Sequence, residues 1–195
     1  MRVIAGTFRS RQLKSLKGNA LRPTSDRLRE TLFNVIADRV PGSRFLDIFA
    51  GTGAVGIEAL SRGAREAVFL ENHAPAATLI RKNLASLGIA TGARVLAADA
   101  LHGLEKLAAE AAQRSAPFDL IFLDPPYSAA DEYRRVLNFL GTARMLAESA
   151  LVIAEHRRSD ELPESFGRLQ RVRVLRQGDA SLSFYGVAAL QNSQL

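Results

Sequence analysis

From residue 44 onward, short apolar runs alternate with amphipathic segments. Arg44-Phe45-Leu46-Asp47-Ile48-Phe49, Ala67–Glu71, Arg94–Ala98, Phe118–Leu123 and Ala150–Glu155 read as strands. Helical patterns lie between them, over Ala54–Arg62, Pro75–Leu87, an Ala/Leu/Glu-rich stretch reaching Arg114, and Asp131–Leu140. Strands that are apolar at nearly every position are covered on both faces, and regular strand–helix alternation makes them parallel. Two further runs, Leu169–Leu175 and Ser181–Val187, flank Gln177-Gly178-Asp179. A connection that short closes an antiparallel hairpin. Upstream, Leu28, Leu32, Val35 and Ile36 recur at helical spacing and predict a helix from Asp26 to Arg39. Thr24, Ser25 and Asp26 are its N-cap candidates, and Pro41-Gly42 stops it. The predicted fold is α/β, a mostly parallel sheet with a C-terminal antiparallel hairpin.

Composition narrows the chemistry. A chain of 195 residues, 47% hydrophobic and 24% charged, suits one globular domain. The absence of cysteine excludes disulfides, thiolate metal sites and cysteine nucleophiles. The apolar stretches fall short of a bilayer span and no signal-peptide core opens the chain, so a soluble cytoplasmic protein is expected. His73, His102 and His156 are scattered without metal-ligand spacing, and core or solvated histidine is the simpler reading of each. No metal is expected.

Charge adds a feature that hydropathy misses. The formal net charge is +6, and the first 22 residues hold six bases (Arg2, Arg9, Arg11, Lys14, Lys17, Arg22) and no acid. A solvated tail would explain the run, but Val3, Ile4, Phe8, Leu13 and Leu16 are interleaved with it, as in an ordered patch that meets phosphates. The expected organisation is a basic arm over 1–22, one domain over 23–190 and a tail over 191–195.

Three strand ends and one corner carry the candidate chemistry. Leu46-Asp47-Ile48-Phe49-Ala50-Gly51-Thr52-Gly53 runs from a strand through a glycine turn into a helix, where ligands sit in open α/β sheets. Gly51, Gly53 and Gly56 also match a dinucleotide pattern, yet Asp47 just before the turn disfavours a pyrophosphate and favours a cation. Glu71, ending the second strand, suits a pair of ribose hydroxyls, and Asp99, ending the third, suits an adenine edge. Each alone would pass as a solvated strand-end acid. The fourth strand ends in Asp124-Pro125-Pro126-Tyr127, where two prolines stiffen the turn. This corner fits a flat base with an exocyclic amine: the ring of Tyr127 stacks, while Asp124 and the Pro125 carbonyl accept the two N–H bonds. Residues Arg27, Glu30, Thr31 and Asn34 share a helix face and are candidates to line either pocket.

These two motifs resemble S-adenosylmethionine-dependent methyltransferases that modify nucleobase amines. Arg2-Val3-Ile4-Ala5-Gly6, the run Leu21–Asn34, Phe49–Gly53 and Glu58-Ala59-Leu60-Ser61-Arg62-Gly63-Ala64 resemble the RsmD family, which methylates N2 of a guanine in 16S ribosomal RNA. The resemblance extends to about Gly186. It implies a Rossmann-like methyltransferase fold with a seven-stranded sheet and a small N-terminal β arm. It also implies a cofactor site for S-adenosylmethionine at Asp47, Phe49, Gly51, Thr52, Gly53, Glu71, Asn72, Asp99 and Ala100. The target base falls to Asp124, Pro125, Pro126 and Tyr127, and RNA contact to Arg2, Arg9, Arg11, Lys14, Lys17 and Arg22. The implied partner is 16S rRNA or a small-subunit assembly intermediate, met by a monomer. The alternatives are an adenine-N6 DNA methyltransferase, a catalytically silent RNA-binding or assembly protein and, weakest, a nicotinamide-dependent reductase.

Overall fold

The structure, a computed structural model, describes residues 1–15, 25–126 and 130–188. Helix α1 (Asp26–Val35) starts where the Ser25 hydroxyl accepts the Leu28 N–H at 3.1 Å. It ends before the expected Arg39, and a 3-10 turn over Ala37–Arg39 leads to Pro41. Next come β1 (Arg44–Ile48), α2 (Ala54–Ser61), β2 (Glu66–Leu70), α3 (Ala74–Ser86), β3 (Ala93–Leu96), α4 (Ala100–Arg114), β4 (Phe118–Leu123), α5 (Ala130–Thr142) and β5 (Leu146–Arg157). The chain closes with β6 (Ser165–Phe166), β7 (Leu169–Gln177) and β8 (Ala180–Val187).

All eight strands form one sheet, in the order β3-β2-β1-β4-β5-β8-β7-β6. The first five are mutually parallel; β8 then pairs antiparallel with β5, β7 with β8 and β6 with β7. The expected seven strands are present, and the eighth, β6, is a two-residue edge that pairs only with Leu169 and Gln170. Its shortness gave no periodic signal. Ile48 lies opposite Leu70 on one side and Leu123 on the other, so the carboxyl ends of β2, β1 and β4 are level. Winding reverses at β1, which makes the gap above β1 and β4 the crevice where such sheets take ligands.

Alternation along the strands builds two cores. Phe45, Phe69, Phe122 and Phe184 face α1, α2 and α3, while Leu46, Val68, Ile121 and Val152 face α4 and α5. The described part of the basic arm belongs to the first of these. Arg2 and Gln12 form an antiparallel bridge, and Val3 and Leu13 enter the core beside α1 and α2. Helix α2 holds the arm with polar groups. Glu58 accepts the N–H groups of Ile4 and Ala5 at 2.8 and 3.0 Å, and the Ser61 hydroxyl accepts that of Phe8 at 2.9 Å. Gly6 passes so close that a Cβ there would meet the Ser61 carbonyl oxygen at 1.8 Å. Glycine is the residue that fits. Among the described residues, no helix is long and apolar enough to cross a membrane.

Candidate active site

The loop from β1 to α2 departs sharply from extended geometry. Phe49, Gly51 and Gly53 have φ of 63°, 54° and 76°. For Phe49 this is a strained conformation, and it explains why β1 stops one residue short of the apolar run. The strain is held by β2: the N–H groups of Phe49 and Ala50 both donate to the Leu70 carbonyl, at 3.0 and 3.2 Å. Glu71 completes the clamp, its Oε2 accepting the Gly51 N–H at 2.7 Å and its Oε1 the His73 N–H at 2.8 Å. Glu71 is buried, with the exposed Asn72 beside it.

Asp47 is placed differently from the expectation that it faces the crevice. It is only 2% exposed, and its Oδ2 accepts the Gly56 N–H at 2.9 Å beneath the start of α2. Burial pushes its carboxyl up to about 8, against the Gly56 hydrogen bond, and the charge of Glu71 adds to the rise. Gly56 itself serves packing, since a Cβ there would approach the Phe69 ring to 2.4 Å. The dinucleotide-like third glycine is thus a helix–sheet contact. Near neutral pH the buried Asp47 carboxyl keeps its proton.

Asp99 is exposed and lies beyond the end of β3, where it caps α4 by accepting the Leu101 N–H at 3.1 Å. Ala100, the first residue of α4, is buried. Thr52 is also buried, and its carbonyl accepts from Asn83 Nδ2 at 3.1 Å. Across the β1–β4 seam, the Asp124 N–H donates to the Ile48 carbonyl at 3.4 Å. Asp124 is half-buried, Pro125 buried and Pro126 exposed; Tyr127 lies outside the described residues. The corner and the glycine turn therefore flank one crevice.

The bases Arg2, Arg9, Arg11 and Lys14 are exposed on the arm, while Lys17 and Arg22 lie outside the described residues. Arg27, Glu30 and Asn34 are exposed along α1, and the Thr31 hydroxyl donates to the Arg27 carbonyl at 2.9 Å. His73 and His102 are exposed, whereas His156 is a core histidine between the Arg157 carbonyl and the Ser183 hydroxyl, its pKa lowered mainly by burial. Among the described residues, no group of three or more His, Asp or Glu side chains could hold a metal ion.

The sequence pattern did not reveal the centre that fastens the arm. Glu58 is fully buried, accepts two arm N–H groups, pairs with Arg62 Nε at 2.7 Å and lies 3.8 Å from Nε of the buried Arg29. The available signal was a single acid in the otherwise apolar run Ala54-Val55-Gly56-Ile57-Glu58-Ala59-Leu60.

Residues 1–186 match the family model described as Conserved hypothetical protein 95. The chain belongs to that family. It is 38% identical over 163 residues to Ribosomal RNA small subunit methyltransferase D of Escherichia coli K12, covering 84% of this chain and 78% of the relative. The solved structure of Escherichia coli yhhF is similar across 97% of this chain and 98% of its own, with a TM-score of 0.81 at 32% identity. An RNA methyltransferase from Salinibacter ruber, solved with S-adenosyl-L-homocysteine, shares the fold at a TM-score of 0.63 and 17% identity, over 89% of this chain and 99% of its own. Family membership thus spans the arm, the glycine turn and the Asp124 corner together.

Proposed function

We propose that this protein methylates the exocyclic N2 amine of a guanine in 16S rRNA, using S-adenosylmethionine. The observation that carries the reading is the shared crevice: the Glu71-clamped glycine turn and the Asp124-Pro125-Pro126 corner lie at level ends of adjacent strands. The relative named small-subunit rRNA methyltransferase D supports the reaction class. The site fits a nucleoside that carries a cation and no phosphate, because the acid beside the turn is Glu71.

When bound, S-adenosylmethionine supplies a methyl group activated by a sulfonium charge. The chain's own part is to hold both partners. Glu71 and Asn72 stand at the turn for the nucleoside's ribose, with Asp99 further along the strand ends. Asp124 and the Pro125 carbonyl accept the N–H bonds of the guanine amine, which favours the tetrahedral nitrogen whose lone pair can react. Tyr127 supplies the stacking surface. The nitrogen sheds a proton once it bears positive charge, so no strong base is required. Exposed arm bases meet RNA phosphates and set the register. The substrate is 16S rRNA or a small-subunit assembly intermediate, and a cytoplasmic monomer belongs to the same proposal.

Incubating the purified protein with S-adenosylmethionine and small-subunit rRNA, then analysing nucleosides by mass spectrometry, tests this. N2-methylguanosine is the expected product. N6-methyladenosine would overturn the target base, and the absence of any methylated nucleoside would overturn the activity.

A further inference from the structure

One side chain ties the basic arm to the glycine turn and belongs to neither. Asn83, on α3, is fully buried. Its Oδ1 accepts the Lys14 N–H at 2.9 Å, and its Nδ2 donates to the carbonyls of Lys14 and Thr52, each at 3.1 Å. Met1 makes a second link from the arm to the same turn residue, its sulfur accepting the Thr52 hydroxyl at 3.6 Å. Thr52 lies between Gly51 and Gly53, whose positive φ values shape the turn.

We propose that Asn83 is a positioning residue that couples occupation of the arm by RNA to occupation of the turn by the cofactor. The inference rests on the functional reading above and deepens it. An asparagine amide has two donor hydrogens, and here both are committed, one to the arm and one to the turn. Because the amide is sealed from solvent, no water replaces a partner that moves away. Displacing Lys14 therefore disturbs the orientation of the amide and, through it, the Thr52 carbonyl. RNA that pins the arm holds the turn in one geometry, and a ligand that needs that geometry binds more tightly. Linkage makes the effect equal in the other direction. Helix α3 is suited to transmit it, since Ile80, one turn before Asn83, packs against Gly53.

The test measures affinity of the intact chain for S-adenosylhomocysteine by calorimetry, with and without a saturating transcript of small-subunit rRNA. The wild-type protein should bind the nucleoside about five- to tenfold more tightly when RNA is present. Asn83→Leu should bind each ligand alone but show a ratio near one. A brace with no coupling role would lower stability and leave the ratio at its wild-type value, which would overturn the inference. Hydrogen exchange on the wild-type protein gives a readout independent of any variant: RNA should slow exchange at the amides of residues 51–56, and unchanged exchange there would also overturn it. Failure of the wild-type protein to bind S-adenosylhomocysteine or RNA at all would instead overturn the functional reading, and the coupling with it.

Discussion

Glu71 and Gly51 are joined at 2.7 Å, a carboxylate at the end of one strand accepting the turn amide that follows its neighbour. The second oxygen of Glu71 is committed to His73. An acid expected to meet a ribose therefore also builds the turn that presents the ligand. Glu71→Ala should weaken S-adenosylmethionine binding by about 1–3 kcal/mol through lost hydrogen bonds. Glu71→Gln keeps one oxygen for two N–H donors, so it should rescue only part of the loss. Wild-type affinity in both variants, measured by calorimetry, would take Glu71 out of the site.

Asp47 gives the protein a pH dependence of definite sign. Its folded-state value of about 8 lies above the ordinary 3.8, because burial disfavours the charged form. Between those values the folded protein keeps a proton that the unfolded chain has released, so this group lowers stability as pH rises through that window. Asp47→Asn should flatten the decline between about pH 4 and about pH 8 in urea denaturation of the ligand-free protein. Parallel profiles for the variant and wild-type proteins would show that the buried carboxyl does not titrate in this range.

Glu58 should matter more than its lack of exposure suggests. Removing it leaves the Ile4 and Ala5 N–H groups and Arg62 Nε without their acceptor, and takes a buried carboxylate from 3.8 Å of the fully buried Arg29, which keeps Asp26 and the Arg2 carbonyl. Glu58→Ala should cost about 3–5 kcal/mol, as expected when one partner of a buried pair is removed. Ser61→Ala, which removes two uncharged hydrogen bonds to the arm, one accepted from Phe8 and one donated to the Ala5 carbonyl, should cost about 1–2 kcal/mol. Trypsin should cut at Arg9 and Arg11 faster in the first variant than in the second. Equal cleavage would mean that the apolar anchors Val3 and Leu13 hold the arm unaided.

The sequence carried periodicity well and long-range polar pairing poorly. Residues 118–123 matched β4 at both ends because a buried strand bounded by a proline corner is marked locally. Phe49 was drawn into β1 because its ring continues the apolar run, whereas its positive φ is imposed by hydrogen bonds to Leu70. The strand-end acids were visible as candidates, yet nothing in their spacing tells a ligand contact from a backbone clamp. Glu58 is 54 residues from Ile4, and Asn83 is 69 from Lys14, so neither attachment leaves a local pattern. The basic run was legible as charge; its docking into the core was not.

That docking changes how the arm should be tested. Deleting it would remove Val3 and Leu13 from the core along with its charges. Replacing Arg2, Arg9, Arg11 and Lys14, all exposed, with serine isolates the charge. RNA binding should weaken, and its salt dependence should flatten by about one slope unit for each phosphate that is no longer neutralised. The full wild-type slope in the quadruple variant would show that these side chains do not meet phosphates.

Asp124 offers the sharpest separation of chemistry from binding. Its backbone is fixed between the Ile48 carbonyl and the two prolines, so a substitution should leave the corner in place. An acceptor that matters most as the amine becomes tetrahedral acts on the transition state more than on the bound substrate. Asp124→Ala should lower the single-turnover methylation rate by about 10²-fold or more, with RNA affinity falling far less. Asp124→Asn retains an acceptor oxygen without the charge and should lie between the two. Tyr127→Ala should behave differently, losing about 1–3 kcal/mol in capture of the extruded base before any bond changes. Single-turnover rates with saturating RNA, read beside equilibrium binding, distinguish these patterns. A wild-type rate in Asp124→Ala would remove the corner from the chemistry, and a loss confined to RNA affinity would recast Asp124 as a binding residue.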